Sequence, residues 1–331
     1  MTRFFPLLVV LFYICGCNND KSSSPFGEIL SKPPFAPLTD SIEREPNRDE
    51  LYFRRAILLN KADLTEPALA DFKKAWDLKK EEKYAFGVST ILLDKNPDSA
   101  ILFLDTAIRQ LPQSVLLGLG LARALSTSGK TDQALAICNN LLESNPEQVD
   151  VLKMKASLLD KKERGEEAVL TLEKAYRLTP FDVELNYILA LKYAEMKNPK
   201  VILLCDSLIK ADSLGLHAEP YYYKGIYFSN LKDKSRALEL FDDAIQHDYY
   251  FLDAHIEKGI VFYEQRKFIE AYKAFNLAMT ISPKYADAYY WMGKSQQALG
   301  QKTEARINYQ RAYGLDKSLT QAKDSADKLA K

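Results

Sequence analysis

A period of 34 residues governs most of this chain. Gly225, Gly259 and Gly293 recur at that spacing, as do Ala237, Ala271 and Ala305, then Phe241, Phe275 and Tyr309, then Ala244, Ala278 and Ala312. Small and large side chains fixed in separate registers are what closely packed helices need. The small ones let two helices approach, and the large ones fill the gap between them. With 331 residues, 47% of them hydrophobic and 27% charged, the chain has ample material for a sizeable core.

The same frame runs backwards through the sequence. Ala68, Ala100, Ala134 and Ala168 hold one small-residue position, and Ala75, Ala107, Leu141 and Ala175 hold the next. Pro112, Pro146, Pro180 and Pro283 share a third position, where they would end a helix. This pattern resembles the tetratricopeptide repeat, a helix–turn–helix unit of 34 residues. The resemblance implies an all-α fold, a right-handed superhelical solenoid of about eight units over residues 49–319. The units start near Asp49, Glu81, Val115, Val149, Val183, Ala218, Leu252 and Ala286. The fifth departs from the pattern: Val201, Cys205 and Leu208 come one residue early, and the following loop is longer. Residues 320–331 read as a polar C-terminal capping helix that solvates the last repeat.

The N-terminus reads as an address. Arg3 precedes an apolar run over residues 4–14, which as a helix covers only about half of the ~30 Å hydrocarbon core. Ile14, Cys15, Gly16 and Cys17 close the run and resemble the lipobox of bacterial lipoproteins. That resemblance implies a signal peptide over residues 1–16 and a lipidated Cys17 carrying palmitate-type acyl chains as the mature N-terminus. Asn18 in place of Asp implies the outer membrane, on its periplasmic or external face. A metal site at the cysteine pair would need further soft ligands, and no Cys or His occurs in the next thirty residues. Residues 17–48 carry Pro25, Pro33, Pro34, Pro37 and Pro46 and read as a lipid-anchored flexible tether.

Several function classes recede. Lys plus Arg equal Asp plus Glu at 45 each, so no strong field gathers nucleic acid. The stretch STSGKT at residues 126–131 ends like a phosphate-binding loop, but the motif's first glycine falls at Ala124 and no strand precedes it. In the repeat frame Gly129 is a turn glycine. GLGLAR at residues 118–123 has Arg123 where a dinucleotide-binding loop needs its third glycine. His217, His247 and His255 read as surface residues without coupled nucleophiles, and Cys138 and Cys205 as buried apolar fillers. The expectation is a non-enzymatic protein with no cofactor and no metal.

What remains is the concave surface, which in the tetratricopeptide family is lined by the first helix of each repeat. Position 2 of that helix is acidic in Glu50, Glu82, Asp150, Glu184, Glu219, Asp253 and Asp287. The helix dipole favours carboxylates there, and an acidic track reading a basic ligand is the other reading. Positions 5, 9 and 12 in the later repeats supply Tyr187, Leu191, Tyr222, Ile226, Ile256, Ile260, Tyr263 and Tyr290. Apolar and aromatic side chains on such a surface favour a protein ligand, so the expectation is a scaffold or adaptor in a cell-envelope assembly that takes an extended or helical segment there. Glycan or peptidoglycan binding by the tyrosines is the alternative, and an enzyme comes last.

Overall fold

The structure, a computed structural model, describes residues 25–330. Among them every regular element is a helix, and the chain divides into two compact units, one ending at Gly129 and one starting at Lys130.

The first unit holds α1 (Gly27–Leu30), α2 (Ala36–Arg44), α3 (Asp49–Lys61), α4 (Thr65–Leu78), α5 (Glu82–Lys95), α6 (Pro97–Gln110) and α7 (Val115–Thr127). Here α3 packs on α4, α5 on α6, and α7 on both α5 and α6. Ala68, Ala75, Ala100 and Ala107 are fully buried where these helices cross, as their repeat positions require.

The second unit holds α8 (Thr131–Ser144), α9 (Val149–Lys161), α10 (Gly165–Leu178), α11 (Val183–Glu195), α12 (Lys200–Ala211) and α13 (Glu219–Asn230). It continues with α14 (Lys234–His247), α15 (Leu252–Glu264), α16 (Phe268–Ile281), α17 (Ala286–Ala298), α18 (Lys302–Leu315) and α19 (Thr320–Lys328). Within this unit each helix packs on its neighbours in sequence, and α13 also contacts α11, and α17 also contacts α15. The glycine register has a direct cause. A Cβ on Gly225 would lie 2.5 Å from the Phe241 ring, and one on Gly293 would lie 2.9 Å from the Tyr309 ring. Gly259 meets Phe275 in the same way. Each aromatic ring of the second helix therefore lies against bare backbone of the first.

The turns within repeats share another device. Asp63, Gly129, Glu163, Lys197, Lys232, Arg266 and Gly300 occupy one repeat position, and all have positive φ, between 54° and 81°. That left-handed residue reverses the chain; glycine adopts it freely, and the other five bear steric strain there. The fifth repeat is irregular as expected. Its second helix, α12, has 12 residues where α14 has 14, and the loop after it is pinned by Asp212 accepting from the His217 N–H at 2.8 Å.

Both ends are closed. Ala322 and Ala326 of α19 are buried against Tyr309 and Ala312, while the rest of its surface is polar. At the other end the expected tether does not extend to residue 48. Leu30 and Phe35 are buried in one cluster with Ala56 and Leu59, and Ile42 is also buried. Thr39 donates to the Leu30 carbonyl at 2.8 Å and accepts from Arg55 Nη1 at 2.9 Å. Arg55 in turn grips Asp71 through two bonds of 2.7 and 2.8 Å, both side chains almost wholly buried. The proline count concealed this cap. Pro37 stands in the first turn of α2, where its missing N–H has no partner to lose, and the apolar residues between the prolines do the packing.

Candidate functional site

Six of the eight proposed groove residues pair up at helical spacing on three helices, each pair one turn apart on one face. Tyr187 and Leu191 stand on α11, Tyr222 and Ile226 on α13, and Ile256 and Ile260 on α15; Tyr263 is also on α15 and Tyr290 is on α17. Seven are half-buried. Ile256 is the exception at 6% exposed: it packs with Ala271, Phe275 and Met292, so it belongs to the core and offers nothing to a ligand. Cys17 lies outside the described residues.

The structure joins these residues into two aromatic groups. In the first, Tyr223 stands edge-on to Tyr187 at 5.9 Å and to Tyr222 at 5.6 Å, and Tyr222 packs on Phe251 at 5.0 Å. In the second, Trp291 stands 5.7 Å from Tyr263 and 5.8 Å from Tyr290. Lys294 places its ammonium 4.0 Å from the Trp291 ring centre, 5.2 Å from Tyr263 and 5.6 Å from Tyr290. Burial lowers the pKa of this lysine, and among the described residues no carboxylate pairs with it.

Tyr223 and Trp291 were absent from the sequence reading, as was Glu257. A signal existed: these three residues are themselves spaced by 34, one position after the Tyr222, Ile256 and Tyr290 register. Glu257 is half-buried, and its carboxyl is pushed up to about 7, by burial first and then by Asp253 and Glu264; Lys234 offsets part of this. Asp287 is likewise raised, by burial and by Asp316 and Asp253. Tyr285 donates to Asp253 at 2.6 Å. The remaining acidic register is largely spent between repeats. Glu50 pairs with Lys83 at 2.8 Å, Glu184 pairs with Lys153, and Glu82 accepts from Ser114. These carboxylates also occupy first turns, where the helix dipole favours them.

The first unit holds a second apolar surface that the sequence reading left out. Phe53, Ile57, Phe72, Phe86, Ile91 and Leu116 line a hollow of about 340 Å³, with Phe86 42% exposed. Phe53 and Ile57 hold the same repeat positions as Tyr187 and Leu191, so one rule would have found them.

The histidines divide. His217 and His247 are exposed, but His255 is buried at 2% exposure, its Nε2 lying 2.8 Å from the Tyr249 carbonyl, and burial lowers its pKa. It is a packed core residue, not a surface one. Cys138 and Cys205 are free, buried thiols pushed up to about 11 and about 12 by burial, so neither is a thiolate at neutral pH. Among the described residues no group of three or more His, Cys, Asp or Glu is placed to hold a metal ion.

Residues 92–158 and residues 287–315 each match the tetratricopeptide repeat family. Those two stretches are tetratricopeptide repeats. A crystal structure of a tetratricopeptide repeat protein from Parabacteroides merdae superposes with a TM-score of 0.62 at 18% identity, covering 75% of this chain and 98% of that one. At that identity the likeness concerns the fold alone. Heat shock protein STI1 of Saccharomyces cerevisiae is 29% identical over 122 residues, which are 35% of this chain and 20% of that protein. The human protein O-mannosyl-transferase TMTC1 is 27% identical over 170 residues, 50% of this chain and 19% of that protein. The chain thus aligns with about a fifth of the length of either curated relative.

Proposed function

We propose that this tetratricopeptide repeat protein is a non-enzymatic scaffold that holds a segment of another protein on the first-helix face of its second unit. The observation that carries this is the row of half-buried Tyr187, Leu191, Tyr222, Ile226, Ile260, Tyr263 and Tyr290. Rings and aliphatic groups on the first helices of consecutive repeats give a partner apolar anchors at low entropic cost, since they are already held by their neighbours. The transferase activity named for one relative belongs to a protein of which this chain matches 19%, and it is not carried over.

The setting we propose is the bacterial cell envelope, with Cys17 lipidated and the protein held at the outer membrane. Support comes from the sequence at residues 3–17. More than one acyl chain is needed for stable anchoring, which lipobox processing supplies. No helix of the described residues is long and apolar enough to cross a membrane.

Two experiments test the two halves. Cys17→Ser moves the protein from the membrane fraction to the soluble fraction; retention in the membrane would refute the anchor. In-cell crosslinking with mass spectrometry, run on wild type and on a Tyr187→Ala, Tyr290→Ala double variant of unchanged melting temperature, loses a partner only in the variant. Identical partners in both would refute the face.

A further inference from the structure

The scaffold reading leaves open what kind of segment the second unit takes, and its charge distribution answers that. On α13, α15 and the start of α17 the tyrosines stand among carboxylates that form no ion pair among the described residues. Asp253 and Glu257 stand one turn apart on α15, Tyr285 donates to Asp253 at 2.6 Å, and the Tyr222 and Tyr223 rings of α13 stand 5.6 Å apart. Among the described residues no Lys or Arg lies within ion-pair distance of Glu257, Asp253 or Asp287. The nearby cations are committed elsewhere: Lys234 to Glu264, Lys258 to Asp242 and Lys224 to Asp206.

The same surface also holds a cation of its own. Lys294 sits over Trp291, Tyr263 and Tyr290 with no carboxylate beside it. One aromatic group therefore has a resident ammonium and no acid, while its neighbour has acids and tyrosines but no resident cation. A half-buried carboxylate one turn from another, as Glu257 is from Asp253, costs folding free energy, and an incoming cation would relieve that cost.

We propose that the face built by α13, α15 and α17 takes a protein segment bearing a lysine or arginine, whose charge meets Glu257, Asp253 and Asp287 and whose stem lies on Tyr222, Tyr223 and Tyr285. The apolar anchors supply affinity, and the carboxylates choose a basic segment over a neutral or acidic one. This rests on the scaffold reading above.

The test is display of random twelve-residue peptides against the full chain, followed by binding of the synthetic winners measured by fluorescence anisotropy. Winners carry a Lys or Arg, and replacing it with norleucine or citrulline weakens binding by about tenfold or more. Glu257→Gln weakens the native peptide by a similar factor, and the norleucine or citrulline change then has little further effect. Winners that are neutral or acidic, or indifferent to both changes, overturn the charge assignment; the scaffold reading survives if they are lost in the Tyr187→Ala, Tyr290→Ala variant. Winners that bind that variant unchanged, or no winners above an unrelated helical protein, overturn both.

Discussion

Single residues set the spacing of this fold. Gly259 is glycine because Phe275 occupies the space a Cβ would need. Gly259→Ala therefore forces the ring or the helix aside, and chemical denaturation is expected to show a loss of about 1–3 kcal/mol. Arg55 and Asp71 form a nearly solvent-free pair that also holds Thr39. Asp71→Ala strands a buried guanidinium, with an expected loss of about 3–5 kcal/mol by the same measurement. Glu257 works in the opposite direction. Its carboxyl is raised from 4.5 to about 7, so the folded state holds a proton that the unfolded chain releases. Between those values the native state binds more protons, and stability falls as pH rises through the window. The groups facing Glu257 are Asp253 and Glu264 on its own helix, Lys234 on α14, Tyr222 on α13 and Tyr285 before α17. Glu257→Gln should therefore stabilise the protein by about 1–3 kcal/mol at pH 8 and by much less at pH 5. Equal effects at both values would contradict the burial of that carboxyl.

Among the elements, the turns inside repeats are the least optimised part. Five of the seven left-handed positions are occupied by Asp, Glu, Lys or Arg. Lys232→Gly and Arg266→Gly relieve strain at positions that already have φ of 66° and 60°, and each should raise stability by about 0.5–1 kcal/mol in thermal or chemical melts. A decrease would mean that these side chains contribute packing that outweighs the strain. The helix positions were legible in the sequence because a small-residue register held by alanine in seven of the eight repeats constrains packing more strongly than local propensity does. The α1–α2 cap was not, since it occurs once and its prolines resemble those of a linker. Only the tertiary contacts of Leu30, Phe35 and Thr39 show it to be structured. For the candidate site, the first-helix positions gave the helix and the face of each residue but not its degree of burial. Ile256 and Ile260 are one turn apart, yet only Ile260 keeps its side chain partly open, because Phe275 and Met292 close over Ile256. Periodicity gives the face of a helix, and the depth of its neighbours decides what reaches solvent.

At the scale of the whole molecule, each unit carries an apolar first-helix surface, around Phe53 and Phe86 in one and along α11 to α17 in the other. Their chemistry differs. The hollow in the first unit is edged by Glu82 and by Lys83, which is paired with Glu50, whereas the face in the second carries Asp253, Glu257 and Asp287 without an ion pair, and Lys294 over its rings. The most direct measurement of the central claim is site-specific photocrosslinking in cells. A photoreactive amino acid is placed singly at Tyr187 or Ile260 on the proposed binding face, and at Leu203 or Ile269, which stand 76% and 58% exposed on second helices. The account predicts protein adducts from Tyr187 and Ile260 and none of the same mass from Leu203 and Ile269. Adducts formed only from the second-helix positions would contradict it.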